Sequence, residues 1–209
     1  MPEDPDNLVK RQLQDWLETF DAETVSVAGI LCDQHAKDPE SIALLYEDAL
    51  GNRARYTFAQ LRDLSSRSAG ALKALGVTKG DRVATLLPKS PELLVTTLGL
   101  WRLGAAHVPL FTAFGPKAIT SRVENSQACV LVTDAANRHK VSFENAGPGS
   151  PQVVTITDEN GDIHDGDVAY LDALAQADPV MDPVLTCGDD LFILIYTSGT
   201  TGSPKGVEI

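Results

Sequence analysis

Residues 196–207 read Tyr-Thr-Ser-Gly-Thr-Thr-Gly-Ser-Pro-Lys-Gly-Val and follow a continuous apolar run. The ten positions from Thr197 to Gly206 hold five hydroxyl side chains, three glycines and one lysine. Glycines permit positive φ angles, so successive N–H groups can point into one concavity that favours an anion. The hydroxyl groups add donors, and Lys205 adds a full positive charge. This composition predicts a polyphosphate-binding loop, and the alternative is a Ser/Thr/Gly turn between two strands.

The loop differs from the G-x-x-x-x-G-K-[ST] phosphate loop, because Pro204 precedes the lysine and Gly206 follows it. Instead, it resembles the phosphate-loop signature of the adenylate-forming superfamily. That superfamily comprises acyl-CoA synthetases, adenylation domains of peptide synthetases, and luciferases. The signature residues present here are Ser198, Gly199, Thr200, Thr201, Gly202, Pro204, Lys205 and Gly206.

Three upstream segments, residues 55–61, 75–84 and 103–110, also resemble this superfamily, so the resemblance runs from about Val25 to the end of the chain. These segments are mostly structural. Asp81, for example, is expected to be a turn or capping residue and not a catalytic acid.

The resemblance implies an α/β fold with a parallel sheet and helices on both faces, as in the first part of the N-terminal domain of an adenylate-forming enzyme. Residues 1–24 are expected to form a helical extension. Residues 25–209 would form the N-terminal portion of the AMP-binding large domain, which ends just after the phosphate loop. The adenine, ribose, magnesium and catalytic-lysine segments of the superfamily lie downstream, so no catalytic residue is assigned within this chain and the metal ligands are unknown.

The activity implied by the resemblance is that of an acid–thiol ligase that uses ATP, Mg²⁺ and CoA. A carboxylate would attack the α-phosphate of ATP to give an acyl-adenylate, and the thiol of CoA would then displace AMP. The phosphate-binding residues would be Thr197, Ser198, Gly199, Thr200, Thr201, Gly202, Ser203, Lys205 and Gly206. They would act by positioning and by electrostatic stabilisation.

The segment 109–115 resembles that of acyl-CoA synthetases of short- or medium-chain acids more than that of peptide-synthetase adenylation domains. This resemblance implies a short- or medium-chain carboxylic acid as substrate and a place in fatty acid metabolism. Two alternatives remain open: an adenylation domain that loads a carrier protein, and a truncated fragment that only binds nucleotide or associates with a partner. The 209-residue chain alone is expected to be inactive and to self-associate through apolar surface exposed along residues 191–196 and under the helix over 91–103.

Composition sets further limits. Apolar residues make up 43% of the 209 positions, which is enough for a folded core, and the net charge of −12 disfavours nucleic acid as a partner. Three scattered cysteines and the absence of an export signal at the start of the chain indicate the cytoplasm. Residues 93–110 are largely apolar but include Arg102 and His107, so a buried helix and strand are expected there and not a membrane span.

Apolar spacing predicts the secondary structure. Helices are expected over residues 8–20, 58–75, 91–103, 116–125 and 168–177, and strands over 42–46, 54–57, 82–87, 106–110, 129–133, 152–157 and 191–196. Thr57 and Ser90 are expected to cap the starts of the second and third helices, and Gly76 is expected to end the second. Strands that alternate with helices imply a parallel sheet. The last strand is expected to be buried on both faces. His107 is expected to be a buried, hydrogen-bonded histidine. The acidic residues between 158 and 167 lack the pattern of a calcium loop and are expected to be solvated.

Overall fold

The structure, a computed structural model, describes residues 5–143, 149–157, 161, 163–197 and 205–209. Within these ranges the helices are α1 (Pro5–Phe20), α2 (Val27–Leu31), a 3-10 turn (Asp33–His35), α3 (Phe58–Ala74), α4 (Pro91–Arg102), α5 (Pro116–Ser126), α6 (Ala135–Arg138) and α7 (Tyr170–Gln176). The strands are β1 (Ile42–Glu47), β2 (Arg53–Thr57), β3 (Arg82–Leu86), β4 (Ala106–Pro109), β5 (Val130–Asp134), β6 (Gln152–Ile156), β7 (Val168–Ala169), β8 (Leu194–Thr197) and β9 (Lys205–Glu208).

A parallel sheet lies at the centre of the fold, with strand order β4-β3-β5-β6-β7. Side chains along each strand alternate between two buried clusters. On β5, Val130 and Val132 pack in the cluster that includes residues of α3, α4 and α7, whereas Leu131 packs with Ile119 and Val123 of α5. Helices therefore cover both faces, which confirms the predicted fold class.

The helix boundaries follow from local capping. Thr57 accepts a hydrogen bond from the Gln60 amide, and the Gln60 side chain accepts one from the Thr57 amide, so a complete capping box begins α3. Ser90 caps α4, which has Pro91 in its first turn. Gly76 adopts φ +90° just after α3, the left-handed conformation in which glycine commonly ends a helix.

Arg102 explains how a charged residue fits into the apolar helix α4. Its side chain is fully buried; Nε donates to Ser65 Oγ at 3.0 Å and one Nη donates to the Met181 carbonyl at 3.1 Å. The other Nη forms an ion pair with Asp33. Within the described residues, none of the helices has the combined length and apolar composition needed to cross a bilayer.

Two predicted elements were wrong in part. Val168 and Ala169 are not helical: they pair in parallel with Val154 and Thr155 and form the edge strand β7, because β6 offers unpaired backbone groups on that side. The predicted strand over 191–196 begins only at Leu194. It forms an antiparallel pair with β9, and residues 191–193 are partly exposed, so the run is not a continuous strand buried on both faces.

The acidic segment also differs from its prediction at one residue. The side chain of Asp167 is 3% exposed and forms a two-point ion pair with Arg138, with Nε–Oδ2 and Nη2–Oδ1 distances of 2.6 and 2.9 Å. The Thr155 hydroxyl donates to the same carboxylate at 2.5 Å. Asp158, Glu159 and Asp162 lie outside the described residues.

The N-terminal helix α1 forms where the apolar spacing predicts it. Its large apolar side chains are exposed, including Trp16 at 58% and Phe20 at 63%. The division of the chain into residues 1–24 and 25–209 stays a prediction.

Candidate functional site

The antiparallel pair β8–β9 brings together the two ends of the predicted phosphate loop. Thr197 is the direct partner of Lys205, and Tyr196 is the partner of Gly206. Thr197, Lys205 and Gly206 are all exposed. The other predicted site residues, Ser198, Gly199, Thr200, Thr201, Gly202 and Ser203, lie outside the described residues.

Strand β8 is attached to the free edge of β4. The His107 amide donates to the Phe192 carbonyl at 3.0 Å, and His107 forms a parallel bridge with Ile193. Because the bridge is parallel, β8 runs in the same direction as β4, and Thr197 lies toward the carboxyl ends of the sheet strands. Ligands of open α/β sheets bind at that edge.

The Trp101 side chain packs on the segment that enters β8, and the His107 ring packs on Trp101 in turn. The Trp101 ring stacks on Phe192 with centroids 4.4 Å apart, and its Nε1 is 3.4 Å from the Phe192 carbonyl oxygen. The His107 ring meets the edge of Trp101 and lies 2.8 Å from the Thr85 hydroxyl through Nε2. Burial lowers the pKa of His107 to about 4, so the imidazole is neutral near pH 7. These contacts confirm the prediction of a buried, hydrogen-bonded histidine.

The opposite side of β8 packs on α5. Tyr196 is buried, and its hydroxyl donates to Asn125 Oδ1 at 2.7 Å. Burial also raises the pKa of Tyr196, so the phenol keeps its proton at neutral pH. Gly206 lies close to two side chains of β8, because a Cβ at that position would be 3.0 Å from Leu194 Cδ1 and 3.5 Å from Tyr196 Cε1. The signature glycine therefore has a packing role in addition to its place in the loop.

Sequence reasoning missed Arg122, which lies in the middle of this packing. The centre of its guanidinium is 4.2 Å from the Phe114 ring centroid and 5.7 Å from the Tyr196 ring centroid. The available signal was its position on α5: Arg122 falls at helical spacing among the buried residues Ile119, Val123 and Ser126.

In the described part of the site, the Thr197 hydroxyl and the Lys205 ammonium group lie side by side at the end of the β8–β9 hairpin. Both are exposed, and both can donate to phosphate oxygens. Among the described residues, no cluster of three or more His, Cys, Asp or Glu side chains could hold a metal ion. Asp81 accepts hydrogen bonds from the Thr78 amide and hydroxyl, each at 2.8 Å, which is the turn role expected for it.

Comparison with known proteins places this arrangement in a family. The family described as AMP-binding enzyme matches residues 31–209. Acetyl-coenzyme A synthetase from Halorhodospira halophila is 36% identical over 204 residues, which cover 90% of this chain and 32% of that protein. The enzyme of the same name from Pseudoalteromonas translucida is 34% identical, over 84% of this chain and 30% of that protein.

Solved structures agree with this match. A Brucella canis acyl-CoA synthetase superposes with a TM-score of 0.83 at 35% identity and covers 100% of this chain, which corresponds to 38% of that chain. A Mycobacterium tuberculosis fatty acyl CoA synthetase gives a TM-score of 0.69 at 30% identity. The chain spans about a third of the length of these relatives. The residues matched, the parallel sheet and the hairpin together show that the chain belongs to the AMP-binding enzyme family.

Proposed function

We propose that the complete protein is an ATP-dependent acid–CoA ligase and that this chain supplies its phosphate-binding hairpin. The observation that carries the proposal is the pairing of Thr197 with Lys205 across β8–β9, within a chain matched by the AMP-binding family. This pairing places the first residue of the signature segment beside its lysine. Two donors of the segment therefore lie where one ligand can reach both.

In the first half-reaction, a carboxylate oxygen forms a bond to the α-phosphorus of ATP. The bond from that phosphorus to the bridging oxygen breaks, and pyrophosphate leaves. In the second half-reaction, the CoA thiolate attacks the acyl carbon and AMP leaves. Negative charge develops on phosphate oxygens in both steps, and preorganised donors stabilise it.

The hairpin would act in the first step. The residues proposed to bind the β- and γ-phosphates are Thr197, Ser198, Gly199, Thr200, Thr201, Gly202, Ser203, Lys205 and Gly206. The donor set fits this role, because Lys205 and Thr197 lie next to each other and both are open to solvent. A bound Mg²⁺ would neutralise part of the phosphate charge.

The relatives guide the choice of acid and acceptor. The matched proteins include acetyl-coenzyme A synthetases and a fatty acyl CoA synthetase. We propose a short- or medium-chain acid as substrate, a role in fatty acid metabolism, and CoA as acceptor in preference to a carrier protein. The cytoplasmic location indicated by the cysteine content stays a prediction.

The test uses the product of the complete coding sequence. It is incubated with ATP, Mg²⁺, CoA and one acid from a series that runs from acetate to decanoate. Formation of acyl-CoA with stoichiometric AMP is expected for acids at the short end of this series. A strict requirement for a pantetheinylated carrier protein would instead favour the adenylation-domain alternative.

The 209-residue chain is assayed in parallel. We expect no ligase activity and at most weak ATP binding, because phosphate contacts alone seldom offset the free energy cost of association. The prediction of an exposed apolar surface under the helix over 91–103 was wrong, because most of α4 is buried by its neighbours. We still expect self-association, since α1 exposes Trp16, Phe20 and other large apolar side chains. Acyl-adenylate formation by this chain would show that it contains a complete site, and this result would contradict the proposal.

A further inference from the structure

Arg122 is a buried charge with an incomplete set of partners. Arg122 is 8% exposed, and one Nη donates to the Ala118 carbonyl of its own helix at 2.8 Å. Within the part of the chain that the structure describes, Nε has no hydrogen-bond partner and the guanidinium has no ion pair. Arg102, by contrast, has an ion pair and two further hydrogen bonds.

This arrangement has an energetic cost. Removing a charged group from water is expensive unless opposite charges or hydrogen bonds compensate it. An unsatisfied buried N–H adds a further penalty. A methionine could fill a similar space without either cost, so core stability does not account for an arginine at this position.

The contacts of Arg122 join two segments that lie on either side of it. Its guanidinium packs over the ring of Phe114, which belongs to the segment between β4 and α5. The same group lies 5.7 Å from the ring centroid of Tyr196, one residue before Thr197. Arginine stacks on aromatic faces through its flat, delocalised cation, a geometry that lysine does not reproduce.

We propose that Arg122 is a positioning residue that fixes the end of β8, and thereby Thr197, against α5 and Phe114. This inference rests on the proposed function, because it assigns the guanidinium a role in ATP use. Arg122 would act through Tyr196 and would not contact the phosphates itself.

The experiment compares Arg122→Met, Arg122→Lys and the control Lys117→Met in the complete protein. Lys117 lies on the same helix but is exposed, so its substitution removes a cation without changing the contacts with Tyr196. Three quantities are measured: the thermal midpoint, the KM values for ATP and acid in ATP–pyrophosphate exchange, and the amide hydrogen exchange of residues 194–197.

For Arg122→Met, the KM for ATP is expected to rise about 2- to 30-fold, while the KM for the acid stays unchanged and the thermal midpoint does not fall. Hydrogen exchange should become faster in residues 194–197 but not in β6. Arg122→Lys should behave like Arg122→Met, and Lys117→Met like the wild type.

Three results would overturn the inference: an unchanged KM for ATP, an equal rise of both KM values together with a lower thermal midpoint, or full recovery by lysine. If the wild-type protein shows no ATP–pyrophosphate exchange with any acid, the proposed function fails. The hydrogen exchange of residues 194–197 still decides whether Arg122 orders β8 in that case.

Discussion

Thr197 and Lys205 are direct partners across the β8–β9 hairpin, although seven residues separate them in the chain. Their pairing makes the position of the lysine depend on β8, and β8 in turn depends on its contacts with β4 and α5. The charge proposed to meet a polyphosphate is therefore held by ordered backbone and not by the loop alone.

The buried histidine predicts a specific dependence of stability on pH. Burial lowers the pKa of His107 to about 4, from 6.5 when it is exposed in the unfolded chain. Between pH 4 and pH 6.5, His107 binds a proton in the unfolded state but not in the folded state. The free energy of unfolding therefore has its full value above pH 6.5 and falls as the pH falls toward 4, by up to about 3 kcal/mol.

His107→Gln should remove this contribution, because an amide does not titrate but can still bond to the Thr85 hydroxyl. Urea unfolding of both proteins at several pH values between 4 and 7 measures the effect. The wild type should lose more stability than the variant over this range. Parallel curves for the two proteins would show that His107 does not carry the difference.

A second prediction concerns the packing of α3 against the segment after α7. A Cβ on Gly70 would overlap the backbone carbonyl oxygen of Asp178 and would lie 3.1 Å from Ala177 Cβ. Gly70→Ala should destabilise the fold by roughly 1–3 kcal/mol, despite the better helix propensity of alanine.

The matched control is Gly188→Ala, where an added Cβ meets no atom within 4 Å. Its effect on the urea midpoint should stay within about 0.5 kcal/mol. Equal effects of the two substitutions would mean that the close contact at Gly70 is absent in solution.

The ion pair between Arg138 and Asp167 gives a third prediction. Asp167→Asn keeps the shape of the side chain but leaves the guanidinium without its buried counter-charge, at a cost of about 3–5 kcal/mol. Asp63→Asn is the comparison, since the Arg67–Asp63 pair is exposed and should contribute at most about 0.5 kcal/mol. Similar thermal midpoints for the two variants would contradict the assigned difference in burial.

Much of the fold could be predicted from local signals in the sequence. Thr57, Ser90 and Gly76 mark helix ends by chemistry that acts within one turn, and the structure confirms all three. The parallel sheet followed from strands that alternate with helices. The predictions failed where tertiary pairing decides the structure: Val168 and Ala169 are recruited by the open edge of β6, which no local pattern reveals.

The candidate site could likewise be predicted from the sequence only where its residues are close together in the chain. The motif from Thr197 to Gly206 was visible because its composition is unusual over ten consecutive positions. The helical spacing of Arg122 indicates that it is buried, but not which residue it contacts. Its contact with Tyr196 joins residues that are 74 positions apart, and no local pattern indicates that contact. Asp167 was likewise assigned to a solvated segment, because its partner Arg138 comes from a different element.

The phosphate-binding role of Lys205 is tested by ATP–pyrophosphate exchange with the complete protein and its Lys205→Met variant, measured with saturating acid. Loss of one donor to a developing negative charge should lower the rate about 10- to 1,000-fold. Lys117→Met, which removes an exposed cation from α5, should keep the wild-type rate. An unchanged rate in Lys205→Met would contradict the claim that this hairpin binds the phosphates of ATP.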